Sequence, residues 1–300
     1  MLKNLFKVVF LISIFASFSC LKSYSQEIID THPLDNMPLI KREPIEVSSS
    51  EAPVEQRGVE FRRWLAASVK IGVSGASGSG TIVYYDPIKN IAYVATCGHL
   101  WERGVMTYKQ GQSKNMTCKV ITWYQNDIKL DSPKSYDAKV IFYSYITGAD
   151  TALITFQPDW VPWYFPIASK DYEYKKGSRM HSCGCDGGRE VAHYDVEIVG
   201  IEGKDLVTRR NSPRPGRSGG GLMDDDFYIA TCWGTSNYDG GGNGFFTPLS
   251  VIHSFWSQNE HQFLLDIPSN TGKARLLPIV DRNSKQGKYD ENYIILPGRK

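Results

Sequence analysis

The chain has no apolar run long enough for a confident membrane span. Its most apolar stretch, Val8 to Phe18, holds roughly a dozen residues, against the ~20 that a spanning helix needs. It also lacks an excess of charge. Lys and Arg number 34, Asp and Glu 32, and the net charge is +2. That makes no case for nucleic acid or an acidic membrane surface as partner. No internal repeat is evident. No complete zinc set stands at the usual spacing, although His181-Ser182-Cys183-Gly184-Cys185 carries ligand-type side chains. No metal and no cofactor are expected.

What is present begins with a leader. Lys3 and Lys7 precede the apolar stretch, and Ser23-Tyr24-Ser25 before Gln26 is a small-x-small cleavage site. This is a signal-peptide pattern, so the expectation is a secreted or periplasmic protein with no stable membrane span. The alternatives are a retained anchor or a lipid anchor at Cys20, since Ser17-Phe18-Ser19-Cys20 loosely matches a lipoprotein box. Removing the leader leaves Cys97, Cys118, Cys183, Cys185 and Cys232. An odd count leaves at least one thiol free or intermolecular, and export permits disulfides without fixing their pairing.

The domain organisation expected is a signal peptide at 1–25, a linker or pro-segment at 26–60, a domain at 61–260 and a tail at 261–300. Residues 26–57 are polar and carry Pro33, Pro38, Pro44 and Pro53, a linker composition. Beyond them come short runs rich in Val, Ile, Thr and aromatics: 67–73, 80–85, 92–96, 117–123, 138–143 and 151–156. A second set follows: 178–183, 192–201, 205–208, 227–233 and 244–247. Gly, Pro, Asn and Asp separate them, which predicts an all-β sandwich or barrel. The proline-bearing segment 157–176 divides the two sets. Leu249, Ile252, Phe255 and Trp256 fall on one face of a predicted helix.

Pro215-Gly216-Arg217-Ser218-Gly219-Gly220-Gly221 is the segment that speaks of chemistry. Glycines let backbone amides converge beside the serine oxygen and let a carbonyl approach. A serine needs a base and the base an orienting acid. Tyr93-Val94-Ala95-Thr96-Cys97-Gly98-His99 ends a strand in histidine. Gly148-Ala149-Asp150-Thr151-Ala152-Leu153-Ile154 starts one with aspartate. Alone, each is ordinary: a structural histidine, a turn aspartate. Together they give His99, Asp150 and Ser218 in that order.

In these blocks the chain resembles the chymotrypsin/trypsin-like serine proteases, in the short-loop branch with the bacterial HtrA-like enzymes. Gly78-Ser79-Gly80-Thr81, Thr96-Cys97-Gly98-His99, Asp150-Thr151-Ala152-Leu153, Gly216-Arg217-Ser218-Gly219-Gly220, Cys232-Trp233-Gly234 and Gly244-Phe245-Phe246-Thr247-Pro248 are similar to the family's blocks in order. The resemblance runs from about Trp64 to Trp256. It implies two six-stranded antiparallel β-barrels, barrel 1 about 64–157 and barrel 2 about 175–248, with a C-terminal helix and an extended tail. It implies a serine endopeptidase acting on polypeptides. Ser218 would be nucleophile, His99 general base and Asp150 its orienter, with the amides of Gly216 and Ser218 as oxyanion hole. Ser212, Cys232, Trp233, Gly234 and Gly244 would line the substrate site.

Two departures stand out. The family's zymogens carry an aspartate just before the serine, to pair with a cut N-terminus; here Arg217 stands there, and no Ile-Val-Gly-Gly start occurs. Activity is therefore not expected to depend on that switch, and residues 26–57 are expected to be a linker. At the floor of the pocket Ser212 replaces a carboxylate, and Gly234 and Gly244 would leave its walls open to an uncharged, large side chain. Arg209, Arg210, Arg214 and Arg217 could favour acidic substrates or form a solvated basic face. The rivals are a catalytically inactive protease-like binding module and an α/β-hydrolase esterase using His253 or His261 with Asp239. The esterase requires a strand–elbow–helix, which the prolines and glycines around Ser218 oppose.

Overall fold

The computed structural model describes residues 59–101, 106–108, 116–125, 128–146, 149–237 and 241–266. The leader with Cys20, most of the 26–60 segment, Asp239 and most of the 261–300 tail lie outside the described residues.

The described chain starts with helix α1 (Val59–Ala67) and continues through β1 (Ser68–Val73), β2 (Ala76–Asp86), β3 (Ile91–Thr96), β4 (Met106–Tyr108), β5 (Thr117–Gln125), β6 (Ile128–Ile146) and β7 (Ala149–Phe156). These seven strands run β4-β6-β5-β1-β2-β3-β7, and an added β6–β7 pairing closes six of them into a ring. Val69, Ile71, Ile82, Val94, Val120, Val140 and Ile154 fill its interior. These β-branched residues suit a pleated, buried face, and each contributes roughly 1.5–3 kcal/mol on burial.

After the connector come β8 (Arg179–Gly184), β9 (Ala192–Glu202), β10 (Asp205–Arg209), β11 (Gly221–Met223), β12 (Tyr228–Thr235) and β13 (Gly244–Pro248). They close as β10-β13-β12-β11-β8-β9. The fold is thus two closed six-stranded antiparallel barrels, as expected. The connector at 157–178 forms only one bridge, Ile167 to Tyr228. It ties the barrels through Phe165 N–H to Ile82 O and Ala168 N–H to Tyr228 O, both 3.0 Å.

Four elements differ from the sequence expectation. Helix α1 was not expected: it takes up residues 59–60 of the linker segment and 61–67 of the domain. It is held because Trp64, Leu65, Ala66 and Ala67 are buried, and Ser68 Oγ donates to Trp64 O at its end. Strand β6 is far longer than 138–143: its first half pairs with β5 as an exposed ribbon through Pro133, without hydrophobic alternation. Short strands β4 and β11 carry too few residues for a period.

Helix α2 (Leu249–Ser257) buries Leu249, Ile252, Phe255 and Trp256, the face read from the sequence. Phe142 of β6 meets Phe255 and Trp256 edge-on at 5.5 and 5.6 Å. Trp256 Nε1–H donates to Thr151 Oγ1 at 3.0 Å, so α2 is fastened to β7 one residue from Asp150. All five described cysteines are buried and free of disulfides. Burial alone pushes the Cys118 thiol up to about 12.

Candidate active site

Strand β3 ends at Thr96, and the chain turns sharply at Gly98. A Cβ there would lie 1.9 Å from Ser144 O, so only glycine lets the turn press against β6. The turn aims the Gly98 and His99 amides at Asp150, in β7: both donate to Oδ1, at 2.6 and 3.0 Å. His99 Nδ1 meets Oδ2 at 2.6 Å. Asp150 is thereby a buried carboxylate with three partners. Its contact fixes the proton on Nδ1 and leaves Nε2 the acceptor. Thr247 Oγ1 donates to Asp150 O at 2.8 Å, tying the acid's backbone to barrel 2.

Burial disfavours a charged His99 ring. Cys97 when ionised, and the Asp150 carboxylate beside it, favour the charge, and its pKa lies well above the ordinary value. Burial raises the Cys97 thiol in turn. The thiol is protonated at neutral pH, and Asp150 is the anion that acts on the ring. Cys97 Sγ lies 3.6 Å from His99 Nε2, and Tyr145 meets the ring edge-on at 5.7 Å.

Ser218 follows a turn built on Pro215 and Gly216. Gly216 has φ +91°, and Arg217 N–H returns to Arg214 O at 3.0 Å, the pattern of a type II turn. A Cβ on Gly216 would lie 2.5 Å from Cys185 O. On the other side, Gly219 has φ +86°, and a Cβ there would lie 2.2 Å from both Ser79 O and Thr96 Oγ1. Ser79 N–H donates to Ser218 O at 2.6 Å. The serine loop is therefore pinned against β2 and the end of β3, three residues from His99. Ser218 is 9% exposed. Among the described residues, the Gly216 and Ser218 amides donate to no carbonyl.

Three supporting residues escaped the sequence reading. Ser79 Oγ donates to Gly216 O at 2.7 Å and accepts from Cys185 N–H at 2.8 Å, joining the two barrels behind the serine loop. Asp186 takes the Arg217 guanidinium in two contacts, Nε–Oδ1 at 2.8 Å and Nη2–Oδ2 at 3.0 Å. Arg217 also lies 4.1 Å over the Tyr194 ring. Cys97, beside the His99 ring at 3.6 Å, stands where the resembled family has alanine.

The basic-face expectation changes accordingly. The Arg217 side chain is 1% exposed. Arg209 and Arg210 both pair with Glu197, the latter at 3.1 Å. Of the expected pocket residues, Ser212 is buried and bridges Asn237 O and Gly242 N–H. Cys232 is buried, and its N–H donates to Gly220 O. Trp233 turns its indole N–H to Asp205 and stacks on Phe245. A Cβ on Gly234 would meet nothing within 4 Å, whereas one on Gly244 would strike Pro213 at 2.6 Å and Thr208 at 2.8 Å. Any open wall therefore lies on the Gly234 side only.

No family model and no curated protein matches the sequence. Solved structures do. The HtrA-type protease AlgW, with tripeptide, superposes with TM-score 0.50 at 17% identity, over 70% of this chain and 64% of that one. The fold is that of the HtrA-type serine proteases. The serine endoprotease from Yersinia pestis aligns at 16% identity over 72% of this chain and 67% of that chain, TM-score 0.49. The Rv3671c protease, inactive form, aligns at 19% over 71% and 98%, TM-score 0.48. This chain spans just under two thirds of AlgW's length. The double barrel excludes the esterase reading: Ser218 leads into strand β11, with no helix after it, and His253 is held at Ala168 O, 2.8 Å away.

Proposed function

We propose that this chain is an exported serine endopeptidase that hydrolyses peptide bonds through an acyl-enzyme on Ser218. His99 takes the hydroxyl proton on Nε2 and later gives it to the leaving amine. Asp150 holds the ring and stabilises the imidazolium. The amides of Gly216 and Ser218 receive the oxyanion, a contact worth about 3–4 kcal/mol per donor. The observation that carries this reading is the 2.6 Å contact of His99 Nδ1 with a buried Asp150, beside a serine loop fixed to the same strands. Export rests on the leader, with a lipid anchor at Cys20 the alternative.

The ring nitrogen that must serve as base has Cys97 Sγ 3.6 Å away. That favours a second reading, an inactive protease-like binding module. Against it, catalytic contacts often close only when substrate binds. An organophosphonate probe decides. Labelling of folded wild-type protein that disappears in Ser218→Ala supports the endopeptidase. Absence of labelling in both, or equal labelling of both, supports the binding module.

A further inference from the structure

A second convergence of ligand-type side chains lies on barrel 2, on the face of β8 and β9 opposite that of Ser182 and Tyr194, which contact Arg217. β8 and β9 pair with His181 opposite Asp195 and Cys183 opposite His193. Directly opposed residues and those two further along share one face of a sheet, so His181, His193 and Asp195 meet there. His181 Nδ1 lies 3.0 Å from His193 Nε2 and 3.3 Å from Asp195 Oδ1, and His193 Nε2 lies 3.7 Å from that oxygen. A triangle with these sides has a centre about 2.0 Å from every corner, the length of a zinc–nitrogen or zinc–carboxylate bond. Its sides also match the roughly 3.3 Å separation of ligands in a tetrahedron of such bonds.

We propose that His181 Nδ1, His193 Nε2 and the Asp195 carboxylate bind one divalent transition-metal ion of the zinc class, with water in the fourth position. Two imidazoles and one carboxylate suit zinc, whereas calcium and magnesium take oxygen sets. Support comes from around the ligands. Asp225 Oδ1 sits 3.4 Å from His181 Nε2. A carboxylate there keeps the proton on Nε2 and bares Nδ1, the usual outer partner of a metal-bound histidine. The Trp64 ring stacks on His181 at 3.6 Å and on His193 at 5.2 Å, which fixes both rings. The His193 side chain is 7% exposed and that of Asp195 51%, so the site has a dry floor and an open mouth.

The bland alternative is a histidine–histidine hydrogen bond flanked by carboxylates. It accounts for the contacts of Asp195 with both rings, but not for three donor atoms spaced as the ligands of one ion. The ion would clamp β8 to β9 beneath helix α1. β8 leads on to Cys185 and Asp186, which brace Gly216 and Arg217. The clamp is independent of whether Ser218 is catalytic.

The test uses the full chain stripped of metal and titrated with Zn2+ and Co2+. Binding is read by calorimetry, by the visible spectrum of Co2+ and by thermal unfolding. One ion per chain, a tetrahedral Co2+ spectrum and a raised melting temperature are expected. Asp195→Asn changes a half-exposed side chain and should keep the fold while losing the melting shift. His193→Gln should do the same, and Asp225→Asn should weaken binding about 10–100-fold. Cys97→Ala should leave binding intact, since Cys97, His99 and Asp150 form the other convergent group. No binding by the metal-stripped wild type overturns the proposal. So does binding that survives Asp195→Asn and His193→Gln but fails in Cys97→Ala.

Discussion

The Arg217 guanidinium lies flat against the Asp186 carboxylate, paired at 2.8 and 3.0 Å and sealed from solvent by Tyr194. The resembled zymogens satisfy an aspartate before the serine with a liberated N-terminus. Here the charge order is reversed and both partners belong to the folded barrel. The serine loop thus holds its own counter-charge.

Asp186→Asn leaves a buried guanidinium without an anion and should destabilise by about 3–5 kcal/mol. Arg217→Met should cost less, because Asp186 keeps partial access to water. The double variant should recover much of the single loss. Denaturant unfolding of the four proteins forms the cycle. Additive effects would show that the pair is not coupled.

Asp150→Asn should keep the fold and lower kcat about 10,000-fold. The amides of Gly98 and His99 require an acceptor, so the Asn oxygen turns to them and its NH2 faces Nδ1. That forces the ring proton to Nε2, where the base must be bare. Steady-state kinetics with a peptide substrate measures the loss; a loss under tenfold contradicts the role.

The raised pKa of His99 has two consequences of opposite sign. The neutral ring is the base, so kcat/KM should rise with pH with a midpoint above the ordinary value of about 6.5. Stability linked to the charged ring beside Asp150 is fully present below the unfolded value and is lost as pH rises through the folded one. NMR titration of the His99 ring checks the midpoint. It should stay raised in Cys97→Ala and fall in Asp150→Asn.

Gly75 and Gly219 share a positive φ, +79° and +86°, but only Gly219 is crowded. Gly75→Ala should cost about 1–2 kcal/mol, the strain of a left-handed residue. Gly219→Ala adds overlap with Ser79 O and Thr96 Oγ1, and should cost more and abolish probe labelling of Ser218. Melting temperatures and labelling of the two variants measure the contrast.

Gly234→Val places a side chain in open space, so stability should change by no more than about 0.5 kcal/mol. If this opening admits the substrate side chain, peptides with large residues should be cut more slowly while small ones persist. Peptide-library profiling reads the change; an unchanged profile removes Gly234 from the pocket.

What the sequence revealed followed from local pattern. Short strand-forming runs marked two sets of strands, the family resemblance turned them into two barrels and singled out His99 and Asp150, and the helical face of α2 was complete. What it hid depends on pairing between distant segments. Asp186 is 31 residues from Arg217, and an arginine is ordinarily expected at the surface. His181 suggested Cys183 and Cys185 by spacing along one strand, yet antiparallel register sends it to His193 and Asp195. Ser79 is a small residue in a glycine-rich strand, with no chemical mark of its bridging role.

The bond from Ser79 Oγ to Gly216 O spans 137 positions of the chain. Contacts so remote in sequence form late, after the chain entropy of both barrels has been given up. A copy whose second barrel has not closed therefore has no seated serine. If Ser218 is the nucleophile proposed above, newly synthesised chains cannot cut one another, or themselves, until the second barrel has closed.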